Sequence, residues 1–270
     1  MEIISVGSSS SGNSYIIREG RKALILDAGL SCIRITRALE ELEIAKEDVS
    51  AILITHEHTD HIRCIKTLAK KCENASVYAS RGTVDSCSIF DELGDERLRL
   101  LSAGEEISDE EIRIRAFPLS HDATEPIGFS IICGEEKLSV VTDTGMITED
   151  IYQEISDATM LVIEANHDEH LLMYGDYPYH LKLRIKSDNG HLSNRAAGEL
   201  LADLLRERFS SNAPCAPLPI MLAHLSFHNN SPFEARKTVE GILEEEGFIK
   251  DEHYTLSIAA KEGLKICGSK

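Results

Sequence analysis

Short apolar runs separated by polar punctuation open this chain. Residues 2–6, 15–18 and 23–26 are such runs, divided by a Ser/Gly tract from Gly7 to Gly12 and by Glu19-Gly20. They predict a meander of three strands. From Cys32 to Leu42 the period changes, and Ile35, Ala38, Leu39 and Leu42 recur at helical spacing. Ala51-Ile52-Leu53-Ile54 predicts a buried strand, and Ile62, Ile65, Leu68 and Ala69 then mark one face of a helix ending near Lys71. Residues 77–79, 98–101 and 111–117 predict strands, with a helix from Thr83 to Phe90. Runs 126–133 and 137–141 flank Gly134-Glu135 as a hairpin, and a short helix at 148–155 precedes a buried strand at 160–163.

Residues 169–190 are less regular. Within them His180, Lys182, Arg184 and Lys186 alternate with Leu and Ile, which places the polar groups on one face of an extended segment. A long helix follows, faced by Ala197, Leu200, Leu201, Leu204 and Leu205. A Pro-containing link at 212–219, a strand at 220–223, a helix at 232–246 and a strand at 254–259 close the chain. Strands early and strand–helix alternation late predict an α/β architecture of stacked sheets flanked by helices. No internal repeat or Gly/Pro-rich linker divides residues 1–270, so a single domain is expected.

Composition narrows what such a fold can do. Hydrophobic residues make up 42% of the 270, enough for a substantial core. No apolar run has the length of a membrane span, and no basic leader precedes an apolar stretch. The expectation is a cytoplasmic protein that does not engage membranes. Lys and Arg total 28 against 46 Asp and Glu, a formal charge of −18. That balance argues against a surface that coats nucleic acid. It leaves room for an enzyme in which bound cations and a few local Lys or Arg hold a phosphodiester. The seven cysteines form no CxxC and are odd in number, which suits reduced thiols.

The candidate chemistry concentrates in Thr55-His56-Glu57-His58-Thr59-Asp60-His61, directly after the strand 51–54. Residues two apart on extended chain point the same way, so His56 and His58 can grip one cation. Asp60 and His61, at the turn into a helix, can reach a second. Imidazole and carboxylate donors together suit Zn²⁺, Mn²⁺ or Fe. The missing ligands must come from other strand ends, where His121, Asp143 and His224 stand. His56, His58 and His121 are assigned to one metal, Asp60, His61 and His224 to the other, and Asp143 bridges. Two divalent ions so held would generate a bridging hydroxide and clamp an oxyanion. Asp27, at the end of the third strand, is placed behind the ligands as the carboxylate that orients one of them. The Ser/Gly tract reads either as a flexible turn or as a loop whose backbone approaches an anion.

The order Asp27, His56-x-His58-x-Asp60-His61, His121, Asp143, His224 resembles that of the metallo-β-lactamase superfamily. The resemblance spans almost the whole chain and implies a four-layer αββα metallo-β-lactamase sandwich and a hydrolase. Gly7 to Ser14 (Gly-Ser-Ser-Ser-Ser-Gly-Asn-Ser), Glu164-Ala-Asn-His-Asp168, Gly190-His-Leu-Ser-Asn194 and Ala223-His-Leu-Ser226 with Asn229-Asn230 are similar to the bacterial YycJ-type (WalJ-type) branch. That similarity implies a DNA exonuclease running 5′ to 3′, on single strands or ends. Glu164 and His191 are similar in order and setting to a Glu–His pair of the superfamily's tRNA 3′-processing endonucleases, which implies a proton relay. Asp60, Glu164 and His191 are thus the catalytic candidates. Lys182 and Arg184 form either a phosphate track or a solvated face. His167, Ser193 and Asn194 are further candidate substrate contacts. Tyr174, Tyr177 and Tyr179 either stack on bases or pack. A departure from the superfamily pattern is Arg63-Cys64, where a small residue is usual. An ester, thioester or lactone hydrolase of the same fold is the alternative, favoured if 169–190 closes a small pocket. A metal-stabilised binding module is the non-enzymatic one.

Overall fold

The structure, a computed structural model, describes residues 1–94, 96–210 and 215–268. Residues 212–214 of the expected Pro-containing link therefore lie outside the described residues. The chain divides into two compact units.

The first unit comprises Met1–Pro118, Ala123–Glu135 and Ala260–Lys270. Its strands are β1 (Glu2–Gly7), β2 (Ser14–Glu19), β3 (Lys22–Leu26), β4 (Val49–Leu53), β5 (Ser76–Ala79), β6 (Leu98–Leu100), β7 (Glu106–Asp109), β8 (Ile112–Pro118) and β9 (Ile127–Cys133), with β14 (Lys265–Gly268) returning at the end. One sheet runs β14-β1-β2-β3-β4-β5-β6. Its first strands pair antiparallel, as the meander predicts, and β3 to β6 pair parallel. Strands β7, β8 and β9 pair antiparallel. The unpredicted strands β7 and β14 are short and partly exposed, so neither carries a buried apolar run.

Alternate residues of this sheet bury one face: Ile4, Ile16, Ile25, Ile52 and Val77. Against them pack Ile35 and Leu39 of α1 (Cys32–Glu41) and Ile65 and Leu68 of α3 (Ile65–Lys71). Each such side chain contributes about 1.5–3 kcal/mol by leaving water. Ser31 caps α1 by accepting from Arg34 N. The helix expected to run unbroken from Ile62 breaks into α2 (Thr59–Ile62) and α3. Cys64 N leaves the helical ladder to donate to Ala28 O at 2.9 Å, tying this turn to the end of β3. The expected helix at Thr83–Phe90 is shorter, α4 (Arg81–Asp85), followed by a separate turn of 3₁₀ helix at Phe90–Glu92.

The second unit comprises Leu119–Asp122 and Glu136–Ala259. It has a parallel sheet of β10 (Glu136–Val141), β11 (Met160–Glu164), β12 (Leu218–Ala223) and β13 (Tyr254–Ile258). Crossovers are helical: α5 (Glu149–Ile155) joins β10 to β11; α6 (Glu169–Tyr174), α7 (Tyr179–Ile185) and α8 (Asn194–Arg208) join β11 to β12; α9 (Pro232–Glu245) joins β12 to β13. Parallel pairing requires such crossovers and brings the C-terminal ends of the strands to one edge. Both units mix strand and helix, the α/β class that the sequence predicts.

The extended reading of 180–186 is corrected: this segment is α7. Its short Leu/Ile alternation fits either period, and Pro178 precedes the helix, where its fixed φ favours a helical start. At 100° per residue Lys182 and Arg184 point to different sides, so no single basic face forms. No helix among the described residues is long and apolar enough to cross a membrane.

Candidate metal centre

The first unit collects its donors at the C-terminal ends of β3 and β4, which run parallel with Leu26 opposite Leu53. Asp27, one residue beyond β3, takes the left-handed conformation at φ 60°. That conformation is costly for a residue with Cβ, and here it turns the carboxylate back under the ligand loop. Asp27 Oδ1 accepts from Thr55 N and Thr55 Oγ1 at 3.0 Å each, and Oδ2 accepts from His61 Nδ1 at 2.7 Å. Thr55 Oγ1 also lies 3.0 Å from His56 Nδ1. Its proton goes to the carboxylate, which can only accept, so the hydroxyl oxygen receives the His56 Nδ1 proton. Both buried imidazoles are thereby fixed with Nε2 as the basic nitrogen.

His56 Nε2 lies 3.0 Å from His58 Nδ1, and His61 Nε2 lies 3.5 Å from Asp60 Oδ2. Four donors around a cation at 2.0–2.1 Å stand about 3.3 Å from one another, so these spacings fit a divalent metal. The loop reaches this arrangement because Gly29 permits a backbone approach: a Cβ there would lie 1.5 Å from Asp60 O. Ala28 N donates to His61 O at 2.7 Å and Asn13 N to Asp60 O at 2.8 Å. Glu57, inside the motif, is bonded outward: its Oε1 accepts from Thr124 N and Thr124 Oγ1, each at 2.8 Å.

The second unit presents its donors at the C-terminal ends of three neighbouring parallel strands. Asp143 follows β10, Glu164 ends β11, and His224 follows β12. Asp143 and His224 are left-handed, at φ 60° and 54°. Glu164, fully buried, uses both oxygens. Oε1 accepts from His191 Nδ1 at 2.7 Å and from His224 Nδ1 at 2.8 Å, while Oε2 accepts from Thr144 N at 2.9 Å and Leu192 N at 3.3 Å. Burial alone would push the Glu164 carboxyl up; the His191 and His224 imidazoles outweigh it and hold the group well below the ordinary carboxylate range. Glu164 is therefore an anion at neutral pH.

His121 donates from Nδ1 to Gly190 O at 3.1 Å. Burial holds its imidazole below the ordinary histidine range against the pull of Asp143, which keeps it a neutral donor. Asp143 Oδ1 lies 3.3 Å from His224 Nδ1 and 3.9 Å from His121 Nε2. Asp143, Glu164, His191 and His224 each offer an atom within 4.8 Å of the others. His191 differs from the rest in being 20% exposed at its side chain. His191, His121 and His224 all have Nδ1 on an oxygen, leaving Nε2 as the basic nitrogen.

The remaining candidates fall around this second set. Lys182 Nζ donates to Met173 O at 2.9 Å and Gly175 O at 2.6 Å, and Arg184 Nε to Asp122 Oδ2 at 2.5 Å. Ser193 caps α8 by accepting from Ala196 N at 3.1 Å. Asn194 and Asn230 bond reciprocally at 3.1 and 2.8 Å, and Asn230 also donates to Ala165 O at 2.8 Å. His167 is buried, and desolvation pushes its imidazole down to about 4. Tyr174 and Tyr179 are exposed on their helices. Thr55, Glu57, Asn13 and Asn230 join the site without having been assigned a role from the sequence. Thr55 and Glu57 stand within the histidine cluster, and Asn13 and Asn230 within the motifs that carry the YycJ-type resemblance.

Comparison with known proteins agrees with this geometry. The family model for the β-lactamase superfamily domain matches residues 22–210. The chain belongs to the metallo-β-lactamase superfamily, and it is a metal-dependent hydrolase of the YycJ-like kind. It is 35% identical over 244 residues to the exodeoxyribonuclease YycJ of Bacillus anthracis, covering 90% of this chain and 89% of that one. To the exodeoxyribonuclease WalJ of Streptococcus pneumoniae serotype 2 (strain D39) it is 35% identical over 228 residues, covering 83% and 81%. The solved metallo-β-lactamase-fold protein YhfI of Bacillus subtilis superposes with a TM-score of 0.70 at 15% identity over 98% of both chains, a likeness of fold. The donor set and this membership identify the bound cofactor as divalent metal.

Proposed function

We propose that this protein hydrolyses phosphodiester bonds in DNA as a 5′-to-3′ exonuclease acting on single strands or ends. The observation that carries the reading is the bond from His191 Nδ1 to Glu164 Oε1 at 2.7 Å. It leaves Nε2 as the nitrogen free to face substrate, on a partly exposed side chain set beside a buried carboxylate. Such a group can deliver a proton to a departing alkoxide. A thioester has a far better leaving group and gains little from that donor. The 35% identity to two exodeoxyribonucleases over most of both chains points the same way.

Two divalent ions, Zn²⁺ or Mn²⁺ or else Fe, would supply an activated water and neutralise phosphate charge. Our assignment keeps His56, His58 and His121 for one ion and Asp60, His61 and His224 for the other, with Asp143 shared, all within one functional domain. Asp27 and Glu164 hold ligand imidazoles in orientation, and Glu164 also holds His191. Lys182, Arg184, His167, Ser193 and Asn194 remain the proposed lining of the DNA path. For Lys182 and Arg184 the part is modest, since both already serve protein oxygens. The same reading places the enzyme in the cytoplasm, with its cysteines reduced.

The test compares 5′-labelled and 3′-labelled oligonucleotides with Mn²⁺ or Zn²⁺, using wild type, Asp60→Ala and His191→Ala. Stepwise release from the 5′ end, lost in both variants, is expected. Intact single-stranded and nicked DNA alongside turnover of a thioester or lactone would overturn the reading.

A further inference from the structure

The Ser/Gly tract between β1 and β2 has no part in the chemistry described so far, and its last polar residue is the informative one. Asn13 is buried. Its amide is oriented without ambiguity, because it pairs twice with the backbone of one residue. Oδ1 accepts from Ser9 N at 3.0 Å, and Nδ2 donates to Ser9 O at 3.0 Å. A flipped amide would set donor against donor and acceptor against acceptor. One hydrogen of Nδ2 is thus spent on Ser9. The same Nδ2 lies 3.1 Å from His61 Nε2 and 3.3 Å from Asp60 Oδ2. His61 donates from Nδ1 to Asp27, so its Nε2 is the accepting nitrogen. The second Asn13 hydrogen therefore points at the two atoms that our assignment gives to a cation.

The backbone holds the amide there. Asn13 N donates to Asp60 O at 2.8 Å, and Gly29 N donates to Asn13 O at 2.9 Å. Gly12, at φ 159°, lies against Gly29, where a Cβ would approach Gly29 O to 2.8 Å. Three loops thus meet at this point because two glycines lack side chains.

We infer that Asn13 is an anion-binding donor: its second amide N–H takes a non-bridging oxygen of the phosphodiester when the His61 lone pair is committed to metal. An N–H hydrogen cannot bind a cation, so with a metal on the His61 lone pair the amide, held in place by Ser9, would offer that hydrogen to an anionic oxygen beside the ligands. A buried neutral donor is suited to that task, since it adds no charge that would repel the metal. The inference rests on the phosphodiester reading above for the identity of the anion.

The probe is inorganic phosphate, titrated calorimetrically into Zn²⁺-loaded protein, with Zn²⁺ affinity measured separately. Asn13→Asp keeps an acceptor for Ser9 N and replaces the donor by a negative charge. It is expected to hold Zn²⁺ as tightly as wild type or tighter, while phosphate affinity falls at least 10-fold. Asn13→Ala should lose phosphate affinity with metal affinity within about 3-fold. In wild type, one Asn13 side-chain amide proton should shift downfield in ¹⁵N-edited spectra when phosphate is added, a readout that needs no variant. Unchanged phosphate affinity in both variants, a parallel loss of metal and phosphate, or an unmoved amide proton would each overturn the proposal. If wild type cleaves no DNA, the nuclease reading falls, while the phosphate titration still decides the role of Asn13.

Discussion

His191 and His224 draw on one oxygen: Glu164 Oε1 lies 2.7 Å from the Nδ1 of the first and 2.8 Å from that of the second. A candidate proton donor and a candidate ligand are therefore oriented by the same buried charge. Glu164→Gln cannot serve both sides. With its oxygen toward the histidines, its NH₂ faces Thr144 N and Leu192 N; flipped, it faces the histidines with donors. We expect kcat on a single-stranded oligonucleotide to fall about 100-fold or more. Metal affinity, read by chelator competition, should fall about 10–100-fold.

Asp27 separates charge from shape more cleanly. Its left-handed backbone at φ 60° is one that Asn also adopts readily, so Asp27→Asn should fold without added strain. The amide can still accept from Thr55 N through Oδ1. It no longer offers His61 Nδ1 a charged acceptor. Metal affinity should drop about 10-fold in Asp27→Asn and further in Asp27→Ala, which also strands Thr55 N. Circular dichroism should change little for the first variant.

Gly29→Ala is the steric counterpart. The added carbon would sit 1.5 Å from Asp60 O, a backbone atom that cannot swing aside. We expect a loss of about 1–3 kcal/mol in urea unfolding or more, since both backbones must part. Metal affinity should fall with it. Gly247→Ala, where nothing lies within 4 Å but φ is +87°, serves as the control that carries strain without a clash.

Burial pushes the Cys64 thiol up to about 12 and the Cys72 thiol up to about 11, each with help from Cys32. In the unfolded chain such thiols ionise near about 8.5. The folded state then binds more protons above that pH, so stability falls as pH rises from about 8.5 towards the folded values. Below that pH these thiols leave stability flat. Urea midpoints measured from pH 7 to 10.5 should decline, and the Cys64→Ala, Cys72→Ala double variant should decline less steeply. Alkylation of Cys64 at pH 8 should be slow beside that of the half-exposed Cys133.

The chain shows its donors more plainly than their supports. His56, Asp143 and His224 each stand just past an apolar run, and such buried strands are readable from the sequence alone. The partnership of Glu164 with His224 was not readable, because it depends on which strands become neighbours in the parallel order β10, β11, β12. Asn13 was hidden for the same reason: its partners lie 47 and 48 residues away. The segment 180–186 misled because Leu/Ile alternation over so short a run fits both periods. There Pro178, standing directly before the first helical residue, favours the helical outcome. Glu57 shows the converse hazard, an acid inside a ligand motif that bonds outward to Thr124.

Asp143, Glu164 and His224 each leave the end of a different parallel strand. Their positions are set by strand pairing, and the length of chain between them is not. The crossover from β11 to β12 holds three helices, and it is the stretch from Gly190 to Asn194 that returns to the donors: His191 and Leu192 to Glu164, Gly190 O to His121. Changes of length confined to the segment between α6 and α7 are therefore expected to leave Asp143, Glu164 and His224 in place. Descent can therefore reshape what this unit admits while its donors stay in register, and the crossover is the place to graft a new specificity.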